Sequence, residues 1–198
     1  MKQGFILICG AVFALGMSCD DQSDSGKSGS GGSGGAGGTT GSKSIKFEDL
    51  FPVANQVSGW VEDSESGASG IEIAKSDQEA VDLIDGSADP FVAHGFELFG
   101  REHYKNDTSK LELQVWKMDS AKIAGELFSD LTATNAVYKS IQWNDLAIGQ
   151  KGRVANTGAS WWVNAFSGAY YVEAKINPAT DQSKSDAQDF AKAVISKL

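Results

Sequence analysis

The sequence predicts an α+β domain built on an antiparallel sheet, on three observations. Apolar-alternating runs flank clusters of turn residues, so the strands come as hairpins. Other segments open on capping residues and carry a one-sided apolar stripe, as amphipathic helices do. No strand–helix alternation with a Gly-rich first turn is present, which disfavours a doubly wound nucleotide-binding sheet. The helical stripes must be covered, and the antiparallel sheet is the large candidate surface. Helices are therefore expected mainly on one face of the sheet, a C-terminal amphipathic helix among them.

The elements follow in chain order. Residues 47–51 (FEDLF) read as one helical turn stopped by Pro52. Short strands are expected at 57–62 and 70–74. Ser76-Asp77-Gln78-Glu79 is a capping box and opens a helix carrying Ala80, Val81 and Ile84. Gly86 interrupts it, and a second helical piece, 88–94, ends at Gly95. Long strands at 96–104 and 110–118 are joined by the turn Asn106-Asp107-Thr108-Ser109. In the second of them Leu111, Leu113 and Val115 share one face, and Glu112, Gln114 and Trp116 the other. Asp119 or Ser120 caps a helix running to 131, with Ile123, Leu127, Phe128 and Leu131 as its stripe. The pattern is then illegible to about 149. Strands follow at 150–155, 160–166 and 169–176, the last two joined by a tight turn at Ser167-Gly168. The final helix opens on a second capping box, Ser185-Asp186-Ala187-Gln188. Its stripe is Ala187, Phe190, Ala191, Val194, Ile195 and Leu198.

The chain divides into three parts: residues 1–18, an export signal; 19–43, a tether; and 44–198, one globular domain. Lys2 is followed by the apolar run 5–15 and then by small residues, the layout of a secretory signal peptide. The run is too short for a comfortable membrane-spanning helix. Residues 20–43 contain no large apolar side chain and are rich in Gly and Ser, so they are expected to be disordered. Gly26-Lys27-Ser28 lacks the flanking strand and helix of a phosphate-binding loop. Both cysteines, Cys9 and Cys19, precede the domain, which therefore contains no disulfide, thiolate nucleophile or Cys-based zinc site. The formal net charge of −9 argues against a nucleic-acid partner, because phosphate binding needs clustered Lys and Arg.

Leu15-Gly16-Met17-Ser18-Cys19 resembles the lipobox of bacterial lipoproteins. In that pattern Leu stands three residues before the Cys; here Leu15 stands four before it. The resemblance implies a diacylglyceryl group on Cys19 and a cell-envelope protein anchored in the lipid bilayer, at the cell membrane or the outer membrane. Stable anchoring takes two or more acyl chains.

The segment 83–96, LIDGSADPFVAHGF, resembles one recurring in an uncharacterised family of exported bacterial proteins, a domain of unknown function. In that family it precedes a Tyr-containing strand, a strand ending like Val115-Trp116-Lys117-Met118, and a helix starting near Ala121. The resemblance covers about residues 50–131 and implies domain boundaries, with no activity attached.

His94 and His103 with Asp85, Asp89 and Glu102 supply metal-ligand types without ligand spacing, so no metal or other cofactor is expected. His94 reads as a helix-ending residue and His103 as part of a solvated strand face. Asp85 and Asp89 make an acid pair available to a hydrolase. They read more simply as a backbone-bonding residue at the Gly86 break and a cap. Trp161 and Trp162 must point to opposite faces of their strand. With Trp116 and Tyr171 they form a candidate binding surface, unless helices cover both faces of the sheet. The leading expectation is a membrane-tethered, non-enzymatic binding or assembly module with an envelope protein or glycan as partner. The alternative is a hydrolase using Asp85 and Asp89.

Overall fold

The computed structural model describes residues 45–198 except 68 and 69. The expected signal peptide, Cys19 and the whole of the tether lie outside the described residues. The strands are β1 (Val61–Glu62), β2 (Glu72–Ala74), β3 (Phe96–Lys105), β4 (Lys110–Met118), β5 (Asn144–Leu146), β6 (Lys151–Asn156), β7 (Trp161–Ser167) and β8 (Tyr170–Asn177). The helices are α1 (Asp77–Ile84), α2 (Asp89–His94), α3 (Ala121–Thr134), α4 (Ala136–Ser140) and α5 (Asp181–Ile195). The strands form one sheet in the order β1-β3-β4-β8-β7-β6-β5, with β2 also paired to β3. Every pairing is antiparallel, which gives the α+β class the sequence predicts.

Local chemistry explains most of these elements. Asn106 turns the chain between β3 and β4, its side-chain oxygen accepting from the backbone N–H of Thr108 (2.9 Å) and of Ser109 (2.7 Å). Ser76 caps α1 by accepting from Glu79 N–H, while the Glu79 carboxylate accepts from Lys75 N–H at 2.7 Å. Gly95 ends α2 at φ 82°, a conformation that favours glycine. Ser120 caps α3. The β7–β8 turn is Gly168-Ala169, one residue beyond the expected Ser167-Gly168, because Ser167 still pairs with Tyr170 and Gly168 takes φ 54°. Only residues 61–62 of the expected strand 57–62 pair with the sheet; Val57 and Trp60 pack into the core instead.

Helices cover both faces of the sheet. One face carries Leu111, Leu113, Val115, Val163, Val172 and Ile176, and packs on Phe190 and Val194 of α5. A 3-10 turn, Phe47–Leu50, closes the same face. It lies over Gly100, where an added Cβ would come within 2.7 Å of the Phe47 and Phe51 rings. Near the C terminus Lys197 donates to the carbonyls of Asp49, Leu50 and Phe51, tying the two ends of the domain together. The opposite face carries Phe99, Trp116, Tyr171 and Phe166 in one cross-strand row. α1, α2, α3 and α4 contribute to the core on that side. Most helices thus share one face, and the C-terminal helix occupies the other.

Two C-terminal expectations are corrected. α5 starts at Asp181, with Thr180 as its cap, one turn before the expected box at Ser185. Thr180 Oγ1 accepts from Ser183 N–H at 3.1 Å, so the earlier cap wins and Ser185 lies inside the helix. Leu198 is 44% exposed, because the helix ends at Ile195 before the stripe reaches it. In the stretch that was illegible, α4 and β5 form. Asn135 caps α4, its side-chain oxygen accepting from the N–H groups of Val137 and Tyr138. Both elements are too short to show a period.

The α5 face also buries a carboxyl group. Glu102 is 4% exposed and accepts a hydrogen bond from the Tyr104 hydroxyl at 2.5 Å. Burial raises the Glu102 pKa above the ordinary carboxylate value; the Tyr104 bond opposes this, and Glu62 adds to it. Because the folded pKa is raised, ionised Glu102 costs stability at neutral pH, and the cost fades as pH falls through that pKa. Glu102→Gln is therefore expected to melt higher than the wild type at pH 7. The gap should narrow as pH falls toward 4, which paired thermal melts would read; a gap independent of pH would contradict this account.

Candidate functional site

The site lies on the sheet face opposite α5, where the aromatic row gives way to polar side chains. Next to Phe99–Trp116–Tyr171–Phe166 runs a second cross-strand row: Glu72, Arg101, Gln114, Glu173, Asn164, Arg153 and Asp145, one from each of seven strands. A third row holds His103, Glu112, Lys175 and Trp162. These rows share a face because strand side chains alternate with period two. They persist under a partial helical cover because most of their buried polar atoms find a partner, Arg153 Nη2 being an exception among the described residues.

Glu173 is the centre of the second row and is 1% exposed. One carboxylate oxygen accepts from the Tyr138 hydroxyl at 2.6 Å and from the Asn164 amide at 2.7 Å. The other lies 2.5 Å from the Lys175 ammonium. Burial, with the Glu173 charge beside them, raises the Tyr138 and Tyr171 pKa values well above the ordinary phenol value, so both remain donors. Asn164 also accepts from Arg153 at 3.2 Å, bridging the buried cation to the buried carboxylate. The Arg153 guanidinium lies between the rings of Phe128 (4.2 Å) and Trp143 (4.7 Å).

Lys175 carries this network to the surface. Burial works against its charge, yet the Glu173 and Glu112 carboxylates outweigh that and raise its pKa above the ordinary lysine value. Its ammonium sits 4.6 Å from the Trp162 ring centre. Glu112 accepts from the Gln114 amide at 2.7 Å, and Arg101 pairs with Glu72 at 2.6 Å. Two adjoining clefts, of about 370 and 360 Å³, open over these residues and share Glu112 and Lys175. The first reaches His103, Ser160 and Trp162; the second reaches Arg101, Asp82 and Asp85. Asp63 holds the rim of the first cleft, pairing with Lys110 at 3.0 Å and Lys105 at 3.2 Å. The Lys110 bond, with Lys105 assisting, keeps the Asp63 pKa below the ordinary carboxylate value although burial opposes it.

The structure distributes the sequence candidates unevenly. Trp116 and Tyr171 are fully buried, so they are core and not the surface expected of them. Phe91 stacks on Trp116 at 4.2 Å, and Phe99 stacks on it at 4.0 Å, which accounts for the burial. Trp161 and Trp162 point to opposite faces and both stay partly exposed. Trp161 lies on the α5 side near Lys184; only Trp162 joins the groove. Asp85 and Asp89 are both exposed, and of the two only Asp85 lines a cleft. Asp85 adopts φ 54° and ψ −159°, a backbone state costing about 1–3 kcal/mol in a non-glycine residue. Asp89 is not the expected cap; Ala88 holds that position in α2, with no side-chain bond. His94 ends α2, its ring bonding Pro90 O at 2.6 Å and Asp130 at 3.1 Å. Among the described residues no group of three or more His, Cys, Asp or Glu is arranged to hold a metal ion.

No protein-family model and no curated protein match this chain. Among solved structures, the extracellular domain of PknH from Mycobacterium tuberculosis is similar at a TM-score of 0.38 and 12% identity, over 70% of this chain and 82% of that one. Glu112, Gln114, Glu173 and Lys175 escaped sequence reasoning as site residues. The available signal was polar alternation inside long strands, but which strands lie side by side is a non-local fact.

Proposed function

We propose that this chain is an exported lipoprotein, acylated at Cys19, whose domain is a non-catalytic binding module of the cell envelope. The observation that carries the binding role is the open polar groove over Glu112 and Lys175, set on the sheet and backed by a buried hydrogen-bonded network. A site of this kind holds a ligand in register without needing to move. Hydrolysis by Asp85 and Asp89 is disfavoured, because only one of these exposed carboxylates lines the cleft. The anchor rests on the lipobox resemblance at Leu15–Cys19 and the signal-like run before it. Among the described residues no helix is long and apolar enough to cross a membrane. The tether would let the domain stand off by about 25–30 Å and sample orientations.

Fractionation tests the anchor. The wild type is expected in the membrane fraction with an acylated Cys19 as the mature N terminus, whereas Cys19→Ser should be released and remain unprocessed at that site. An unmodified N terminus downstream of Cys19 would refute it. Hydrogen exchange on the mature protein, with and without envelope extract, tests the groove. Protection should gather around Glu112, Lys175 and Trp162; protection confined to the α5 side would overturn the assignment.

A further inference from the structure

The groove runs farther across the strands than its two clefts alone. Trp162 is also a wall of a third cleft, of about 480 Å³, lined by Val137, Ile141, Gln142, Asn156 and Thr157. A path therefore leads from His103 and Glu112, past Lys175 and over Trp162, to the end of β6. From β3 to β6 it crosses four strand spacings, on the order of 20 Å, the length of roughly four linked sugar rings.

Three features select the ligand. First, β3, β4, β8 and β7 are each paired on both sides, so no backbone edge is open there for an added peptide strand. Recognition on this path is by side chains. Second, the cations of the floor are paired within the protein, Lys175 with Glu173 and Arg101 with Glu72, while the Glu112 carboxylate accepts only from the neutral Gln114 amide. The floor therefore keeps a net negative charge that disfavours an anionic ligand, and hydrogen-bonding capacity selects among the others. The second Glu112 oxygen and the His103 ring make no hydrogen bond to the described residues. Third, these groups border a partly exposed indole, Trp162. An aromatic body beside polar groups offers one surface to C–H bonds and another to hydroxyls.

We propose that this path binds a neutral oligosaccharide of about four rings, lying across the strands with one ring against Trp162. Sugar hydroxyls would donate to Glu112 and accept from Lys175 and His103. The proposal rests on the binding-module reading above and names its ligand class.

The test uses the mature full-length protein in lipid nanodiscs, titrated with cellotetraose and with the tetramer of N-acetylglucosamine. Calorimetry and tryptophan fluorescence read the binding. At least one tetrasaccharide is expected to bind saturably, and its monosaccharide at least tenfold more weakly. Trp162→Ala and Glu112→Gln should each weaken binding at least tenfold. If Trp162→Ala melts markedly lower, Glu112→Gln carries the comparison, since it keeps the shape of the side chain. Saturable binding that both variants leave unchanged would overturn the proposal. A dipolar tetrapeptide or a polyanion that binds in the groove where both sugars fail would overturn the glycan class and leave the binding module standing. Failure of sugars, peptide and polyanion alike to perturb the groove would remove both.

Discussion

Replacing Phe190 with Ala is expected to destabilise the domain by about 3–5 kcal/mol, the range for truncating a fully buried aromatic. The ring is 1% exposed. It meets Trp60 edge-on at 5.4 Å and Tyr104 at 4.7 Å, so it joins α5, the N-terminal segment and β3 in one contact. Neither neighbour can fill the space, because both are anchored elsewhere. The Tyr104 hydroxyl is held between Pro52 O (2.9 Å) and Glu102 (2.5 Å), and Trp60 is 2% exposed. The loss is a large share of the 5–15 kcal/mol typical of a domain. Lys192, on the solvent side of the same helix, pairs with the exposed Asp189 at 3.0 Å. Lys192→Ala should cost less than about 0.5 kcal/mol, as exposed pairs contribute little. Urea denaturation of the two variants reads the difference directly. Equal midpoints would mean that α5 is not docked through Phe190.

Replacing Glu173 with Ala should cost a similar amount, about 3–5 kcal/mol, for a different reason. Truncation leaves the Tyr138 hydroxyl, the Asn164 amide and the Lys175 ammonium without their acceptor. Buried donors that lose a partner forfeit their full desolvation cost. Glu173→Gln keeps the shape and one acceptor oxygen, so it should cost less, about 1–3 kcal/mol. Glu112 lies at the mouth of the groove, and Glu112→Gln should be near neutral for stability, within about 0.5 kcal/mol. Denaturation midpoints falling in the order Glu112→Gln, Glu173→Gln, Glu173→Ala would support the network. A Glu173→Ala variant as stable as the wild type would mean that its partners are satisfied by water. The Lys175 pKa should also fall in Glu173→Ala, because the carboxylate that outweighs burial is gone. An NMR titration of the lysine ammonium would follow it.

These two predictions divide the molecule as the sequence itself does. Phe190 was legible from sequence, because a helical stripe shows its period within one segment. The same holds for the β3–β4 hairpin, whose turn residues and alternation are local, and for the caps at Ser76 and Ser120. At the start of α5 the capping box at Ser185 misled the sequence reading, and the structure caps the helix at Thr180 instead. Short elements such as α4 and β5 carried no period to read.

By itself the sequence determined the α+β class, the opposite faces of Trp161 and Trp162, and the amphipathic helix that closes one side of the sheet. Tertiary structure alone decided the pairing of β4 with β8. That pairing sets Gln114 beside Glu173 and Glu112 beside Lys175, residues about sixty positions apart, and so creates the groove. The elements laid over that face bury Trp116 and Tyr171, a candidate binding surface in the sequence only if helices left it uncovered. The physical reason is that strand alternation fixes which residues share a face, while burial depends on what another element lays over that face. Here Phe91 of α2 and the apolar side of α3 cover the aromatic row and leave the row of Glu112 and Lys175 open.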